Sequence, residues 1–112
     1  MANLNCIKGT KAPVNVSVNN LHANKNLSDS TIDLSCVFYI GGKRNSQESG
    51  ATVTIQKSAM TKVDDNTYLC SVDTAGMAVG NMMCECTITD TEDANFKWIL
   101  NTTTNVRVDE SK

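Results

Sequence analysis

Cysteine is the residue type with the richest potential chemistry in this chain of 112 residues, which contains five of them. Cys84 and Cys86 are two positions apart, so on a strand both side chains would lie on one face. Structural zinc sites usually take cysteine pairs from turns, two to four residues apart, and this pair matches them poorly. We therefore favour buried free thiols that pack as small hydrophobic side chains. Zinc binding and disulfide pairing stay open as alternatives for Cys36, Cys70, Cys84 and Cys86.

Catalytic residues are not evident from the sequence. His22 is the single histidine, it lies in an Asn-rich segment, and no nucleophile motif accompanies it. Gly41-Gly42 lacks the spacing and the downstream Lys-Ser/Thr of a phosphate-binding loop. Asp90 to Asp93 is acidic but lacks the ligand order of a calcium-binding EF-hand loop. We expect no enzyme activity, no cofactor, no metal site and no small-molecule substrate.

One segment has the Tyr-x-Cys spacing of antibody-type domains. Tyr68 lies two residues before Cys70, and Cys36 could supply the first cysteine of an inter-sheet pair. The separation is short for such a pair, however, and no Trp follows Cys36. We interpret the match as a coincidence and expect instead a late strand from Gly80 to Ile88, with Cys84 opposite Cys36.

Composition and charge exclude several classes of protein. Hydrophobic residues make up 40% of the chain, charged residues 20%, and the net charge is −2. A nucleic-acid-binding protein usually carries a concentrated basic stripe, which is absent here. The sequence shows neither a signal peptide nor an apolar run long enough to span a membrane. We expect synthesis in the cytoplasm and interpret three N-glycosylation sequons, at Asn15, Asn26 and Asn101, as chance.

Apolar residues alternate with polar ones along most of the chain, which is the pattern of half-buried β-strands. The alternating runs are Val14 to Val18, Ile32 to Ile40, Ala51 to Ile55, Tyr68 to Val72, Met82 to Ile88, Phe96 to Leu100, and Val106 with Val108; Leu4, Cys6 and Ile7 could add a short first strand.

Polar and Gly-rich segments separate these runs and predict turns. Only Thr74 to Val79 could form a helical turn. Short strands at this spacing indicate an all-β fold, an immunoglobulin-like antiparallel β-sandwich of about seven strands. We expect one domain over residues 1–112, with its core roughly at 13–108.

The order of features from Val63 to Asp90 resembles a known group of modules. A strand is followed by Asp73-Thr74, a short turn, Gly80, a long alternating strand and an acidic hairpin. This order is similar to that of the immunoglobulin-like modules of tailed-phage structural proteins (baseplate, capsid decoration and fibre), such as the N-terminal domain of baseplate upper proteins. The usual aromatic residue after the glycine is Met82 here, which makes that core position more pliable.

The resemblance implies a non-catalytic structural protein of a phage virion, part of a capsid, neck, baseplate or fibre. Its partners would be other virion proteins or further copies of itself, contacted through exposed strand edges, with assembly in the host cytoplasm. The alternative function is a bacterial adhesin-like or carbohydrate-binding β-sandwich. Such a module needs exposed aromatic side chains, but most of the aromatic residues lie on the alternating runs, where we expect them to be in the core.

Overall fold

A computed structural model describes residues 4–19, 21–41 and 51–110. Two short 3-10 turns, His22–Asn24 and Lys57–Ala59, accompany the strands, and no helix in the described ranges is long and apolar enough to cross a membrane. Eight strands form in these ranges: β1 Leu4–Ile7, β2 Lys11–Ser17, β3 Ile32–Ile40, β4 Val53–Gln56, β5 Thr61–Asp64, β6 Thr67–Asp73, β7 Gly80–Asp90 and β8 Asp93–Asp109.

The strands form two sheets that pack face to face. The larger sheet has the order β1-β8-β7-β3-β4, and the smaller has the order β2-β6-β5. Neighbouring strands are antiparallel except for β1 and β8, which run parallel with Leu4 beside Val106. The parallel pair is the one departure from the antiparallel sandwich that the sequence predicts.

The strand order is that of an immunoglobulin domain, which confirms the predicted fold class. In such domains strands G, F and C pair in one sheet, C′ can extend it, and B, E and D lie in the other. Here β8, β7, β3 and β4 take the places of G, F, C and C′, while β2, β6 and β5 take those of B, E and D.

Alternation of side chains explains why these segments form strands. Along β3 the inward-facing side chains are buried and one face of β7 is buried in the same way, because residues two apart share a face of the sheet. The buried hydrophobic side chains form one cluster between the sheets. Its fully buried larger members include Phe38, Leu34, Met82, Ile88 and Val72.

Several local features differ from the sequence-based expectations, and helical turns form at His22–Asn24 and Lys57–Ala59 rather than at Thr74 to Val79. Strand β5 is not among the predicted runs, because its four residues are all exposed and carry no alternation. Thr74 to Val79 forms a turn without a helical segment. Most of the predicted turn from Gly41 to Gly50 lies outside the described residues.

The placement of the cysteines in strands explains why the antibody-type pattern does not apply. Cys70 and Tyr68 lie on β6, the E strand, so Tyr68 is not the tyrosine that precedes the F-strand cysteine. The antibody-type disulfide joins strands B and F. Here Cys36 lies on β3, the C strand, and the B strand, β2, carries Val14 and Val16 in place of a cysteine. The Tyr-x-Cys match is therefore a coincidence of sequence.

A bulge divides β8 into two parts. Between the pairs Asn81–Arg107 and Met83–Thr103, β8 contains two more residues than β7. The Thr104 hydroxyl donates to the Met82 carbonyl at 2.9 Å and accepts from the Val106 amide at 3.1 Å, which stabilises the irregular segment. Bulges bend a strand, and this one returns the end of β8 to the core.

Candidate functional site

Four buried thiols meet between the two sheets. Cys36 comes from β3, Cys84 and Cys86 from β7, and Cys70 from β6 of the opposite sheet. The Sγ atoms of Cys36, Cys84 and Cys86 all lie within 4.8 Å of one another. All five cysteines are buried and none is in a disulfide, as expected for free thiols; Cys6 lies apart from the cluster.

Cys36 and Cys86 form a close thiol pair across β3 and β7. They are directly opposite each other in the β3–β7 register, and their Sγ atoms are 3.0 Å apart. The expectation that Cys84 faces Cys36 is wrong by two residues, because the register places Cys84 beside Phe38. Cys84 Sγ is 3.4 Å from Cys86 Sγ along the same strand.

The strand ladder shows which kind of cross-strand pair this is. At its two ends, Thr91 donates its amide to the Thr31 carbonyl and Gly41 donates to the Asn81 carbonyl. Hydrogen-bonded pairs alternate with non-hydrogen-bonded pairs along an antiparallel ladder. Cys36–Cys86 is five positions from each of these bonded pairs, so it is a non-hydrogen-bonded pair, the type whose side chains approach most closely.

The thiols shift one another's pKa values in opposite directions. Hydrogen bonds from Cys36 and then Cys84 lower the pKa of the Cys86 thiol and outweigh its burial. Hydrogen bonding to Cys70, Cys84 and Cys86, together with burial, raises the pKa of Cys36. Cys86 is therefore the thiol of the pair that loses its proton more readily. Cys36 keeps its proton and donates a hydrogen bond to the Cys86 thiolate.

A groove with a volume of about 550 Å³ opens beside this cluster, between the edges of the two sheets. Strand β2 forms one wall, the second half of β8 forms the other, and Cys84 and Cys86 lie at the floor. Leu100 faces the interior on β8 opposite Cys86 and is nevertheless 40% exposed. Its exposure shows that the space between the walls is open.

The edge of β2 presents free main-chain groups to the groove. Val18 donates its amide to Asn66 and Thr74 donates to Thr10 at the two ends of the β2–β6 ladder. By the alternation of an antiparallel ladder, the main-chain groups of Asn15 and Ser17 point the other way, toward the edge. Within the described ranges, β2 has a paired strand on one side only.

The edge of β8 is open over its first part in the same way. In the described part of the chain, strand β1 pairs with residues Val106 to Asp109 alone, and β7 occupies the other side of β8. The β7 ladder directs the main-chain groups of Ile99 and Asn101 away from β7 and toward this edge. Ile99 is also 58% exposed.

The other candidates from the sequence lie in or next to the connections between strands. His22 lies in a 3-10 turn, and the acidic hairpin forms ion pairs with Lys25. Lys25 Nζ contacts both carboxylate oxygens of Asp90, and it lies 2.7 Å from Glu92 Oε1. The lysine ammonium group therefore occupies the space between the carboxylates that a calcium ion would need. Sequence patterns gave no signal for this long-range contact or for the groove, because both depend on how the sheets meet.

No model of a known protein family, no curated protein and no solved structure matches the chain. Its function is therefore inferred from the groove, the open strand edges and the buried thiols.

Proposed function

We propose that this chain is a non-catalytic assembly module of a phage virion that binds an extended segment of a neighbouring virion protein in the groove between β2 and β8. The observation that carries the proposal is the pair of open strand edges facing one groove. Exposed edges are unfavourable for a free protein and serve as templates for an added strand in an assembly.

The main-chain geometry suits an added strand. Asn15 and Ser17 offer amide and carbonyl groups on β2, while Pro13 lacks the amide that would extend the ladder further. The β2 wall runs from Pro13 to Val18, about 20 Å at roughly 3.3 Å per residue. An added strand of about six residues would therefore be covered along its length.

The lining of the groove indicates the chemistry of the occupant. No charged side chain is among its described lining residues, which are valines, threonines, asparagines and cysteines with Pro13, Ser17 and Leu100. Burying an unpaired charge here would be costly. The occupant should be an uncharged extended segment with apolar side chains at alternate positions, which would cover Leu100.

The alternative of a carbohydrate-binding or adhesin-like module has weaker support. Carbohydrate sites use exposed aromatic rings as platforms, but Phe38, Tyr39, Tyr68 and Phe96 are buried. Trp98 is half-buried and packs on Phe96, with ring centroids 5.3 Å apart. A glycan array should therefore show no binding.

Fractionation of phage particles with mass spectrometry tests the assembly role directly. We expect the chain to be present at a constant ratio to other virion proteins in purified particles. Its absence from every particle would exclude the virion role.

Variants at the strand edges test the groove. Thr102→Lys and Asn15→Pro should abolish co-purification with the partner, because the first places a charge at an exposed position that lines the groove and the second removes an outward amide. Val63→Lys is the matched control, since Val63 is 56% exposed and lies on β5, away from the groove. Equal loss for Thr102→Lys and Val63→Lys would contradict the proposed docking site.

A further inference from the structure

We propose that Cys36 and Cys86 are an oxidisable pair that closes into a cross-strand disulfide when a small disulfide compound reaches them through the groove between β2 and β8. This inference does not depend on the assembly role. It rests on the distance between the two thiols, their position in the ladder and their access to the groove.

The distance between the sulfur atoms is already short. Cys36 Sγ and Cys86 Sγ are 3.0 Å apart, and a disulfide bond is about 2.05 Å long, so they need to approach by about 1 Å. Opposed residues of a non-hydrogen-bonded pair have Cα atoms about 4.5 Å apart. This separation falls at the short end of the range that disulfides accept, about 4.4 to 6.8 Å.

The neighbouring thiols fit a disulfide less well. Cys84 and Cys86 are on one strand, where residues two apart have Cα atoms about 6.6 Å apart, close to the upper limit for a disulfide. Cys70 hydrogen-bonds with Cys36 but comes from the opposite sheet, so it is not an in-register neighbour, and it lies outside the group of three thiols within 4.8 Å of one another. The strand register thus selects Cys36 as the partner of Cys86.

Access to solvent differs between the two thiols. Cys86 is 5% exposed and lies at the floor of the groove, whereas Cys36 is fully buried behind it. An oxidant in the groove therefore meets Cys86 first. Cys36 then faces the sulfur that carries the oxidant, because Cys86 is its partner in the ladder and lies 3.0 Å away.

The reaction proceeds in two thiol–disulfide exchange steps. The Cys86 thiolate attacks one sulfur of the small disulfide, forms a mixed disulfide and releases one thiolate, which takes up a proton. The Cys36 thiol then loses its proton, attacks Cys86 Sγ and expels the second small thiolate, which accepts that proton. Two protein thiols are oxidised to one disulfide, and the small disulfide is reduced to two thiols.

A bound metal ion is the competing use of the same cluster. Four thiolates around zinc, at about 2.3 Å from the ion, would be about 3.8 Å apart. The contacts of 3.0 Å and 3.4 Å are tighter than this spacing. The geometry therefore favours a bond between the sulfurs over an ion among them.

Oxidised glutathione is the probe for the test. The fully reduced chain is incubated with it, residual thiols are alkylated in denaturant, and the product is digested with trypsin and a glutamyl endopeptidase. Cleavage after Glu85 separates Cys86 from Cys84, so the bond appears as a link between the peptides 26–43 and 86–92. We expect this link, with loss of two of the five thiols.

Variants with one cysteine replaced show which two cysteines form the disulfide bond. Cys86→Ser and Cys36→Ser should lose the linked peptide, and Cys84→Ser and Cys70→Ser should keep it. Cys6→Ser is the matched control, because Cys6 is also buried but contacts the Thr10 hydroxyl at 2.9 Å and no other thiol. Circular dichroism identifies a variant that does not fold, in which case Cys→Ala replaces it.

Three results would overturn the inference. One is the absence of any linked peptide in the wild-type chain at an excess of oxidised glutathione. The second is a bond that joins Cys84 to Cys86 or Cys36 to Cys70. The third is elemental analysis that finds one thiolate-bound zinc ion per reduced chain, protecting the cluster from oxidation.

Discussion

Lys25 Nζ lies 3.1 Å and 3.0 Å from the two carboxylate oxygens of Asp90 and thereby ties the loop before β3 to the end of β7. The Asp90 side chain is only 1% exposed. A buried carboxylate is unfavourable unless a cation and hydrogen bonds accompany it. The lysine therefore allows the acidic end of the β7–β8 hairpin to pack against the rest of the fold.

Replacing this lysine should destabilise the fold. We expect Lys25→Met to lower the thermal midpoint at neutral pH, because the Asp90 carboxylate stays buried without this cation. Lys62→Met is the control, since Lys62 pairs with Asp65 on the surface, where both side chains are more than half exposed and ion pairs contribute little. Equal shifts of the midpoint for the two variants would show that burial of Asp90 does not matter.

The pH dependence of the Lys25 contribution follows from its pKa. Hydrogen bonds to Glu92 and then Asp90 raise the pKa of Lys25 above its ordinary value of 10.5. A group with a raised pKa in the folded state stabilises the fold fully below its unfolded pKa and loses that effect as the pH rises through its folded pKa. The difference in midpoint between wild type and Lys25→Met should thus persist from neutral pH to about 10 and shrink only at higher pH.

Lys57 has a different role, as a donor to main-chain carbonyls. Its Nζ donates to the carbonyls of Asp29 at 2.9 Å and Ile32 at 2.8 Å, and lies 5.7 Å from the centre of the Tyr68 ring. Lys57→Met should lower the free energy of unfolding by about 2 kcal/mol, since hydrogen bonds from charged groups contribute about 1.5 to 3 kcal/mol. Urea denaturation measures the change, and Lys57→Arg should retain part of the stability.

Gly80 begins β7 in a conformation that side chains disfavour. Its φ is +147°, and an added Cβ would lie 2.8 Å from Ile40 Cγ2. Gly80→Ala should cost about 2 to 3 kcal/mol in unfolding free energy, from backbone strain and this close contact. Gly9 is the matched control, because its φ is +100° with nothing within 4 Å of an added Cβ. Gly9→Ala should cost only about 1 kcal/mol, and equal losses would exclude the contact with Ile40.

Sequence patterns predicted the strands with strong alternation and missed those without it. The β3 and β7 runs were found because one face of each is buried in the core. Strand β5 carries four exposed residues, Thr61 to Asp64, so only its pairing with β6 defines it. Local composition has no information about such pairing, which depends on contacts made after folding.

The strand register and the long-range contacts of the site could not be predicted from the sequence. Alternation placed Cys36, Cys84 and Cys86 on inward faces, but a shift of two residues keeps every side chain on its face. Cys84 was therefore as acceptable as Cys86 opposite Cys36. The groove was equally hidden, since it depends on the described β1 residues pairing with only the last part of β8.

The lowered pKa of Cys86 determines how the rate of its reaction with a disulfide should depend on pH. Thiol–disulfide exchange needs the thiolate, so an ordinary thiol reacts about tenfold more slowly for each pH unit below its pKa. Hydrogen bonds from Cys36 and Cys84 lower the pKa of Cys86 from 9.0. We expect the rate at which oxidised glutathione first modifies Cys86 to stay nearly constant across neutral pH, whereas in the urea-unfolded chain it falls steeply with acidification.

Substitution of Cys36 tests whether its hydrogen bond stabilises the Cys86 thiolate. Cys36→Ala removes the first hydrogen bond to Cys86, so its pKa should rise and the rate of mixed-disulfide formation should become pH-dependent. Cys6→Ala leaves the cluster intact and should keep the flat profile. Quenched-flow mass spectrometry with peptide mapping gives the rate at Cys86 alone. A wild-type rate that rises about tenfold per pH unit through neutrality would show that burial outweighs these hydrogen bonds and that Cys86 is protonated in the folded chain.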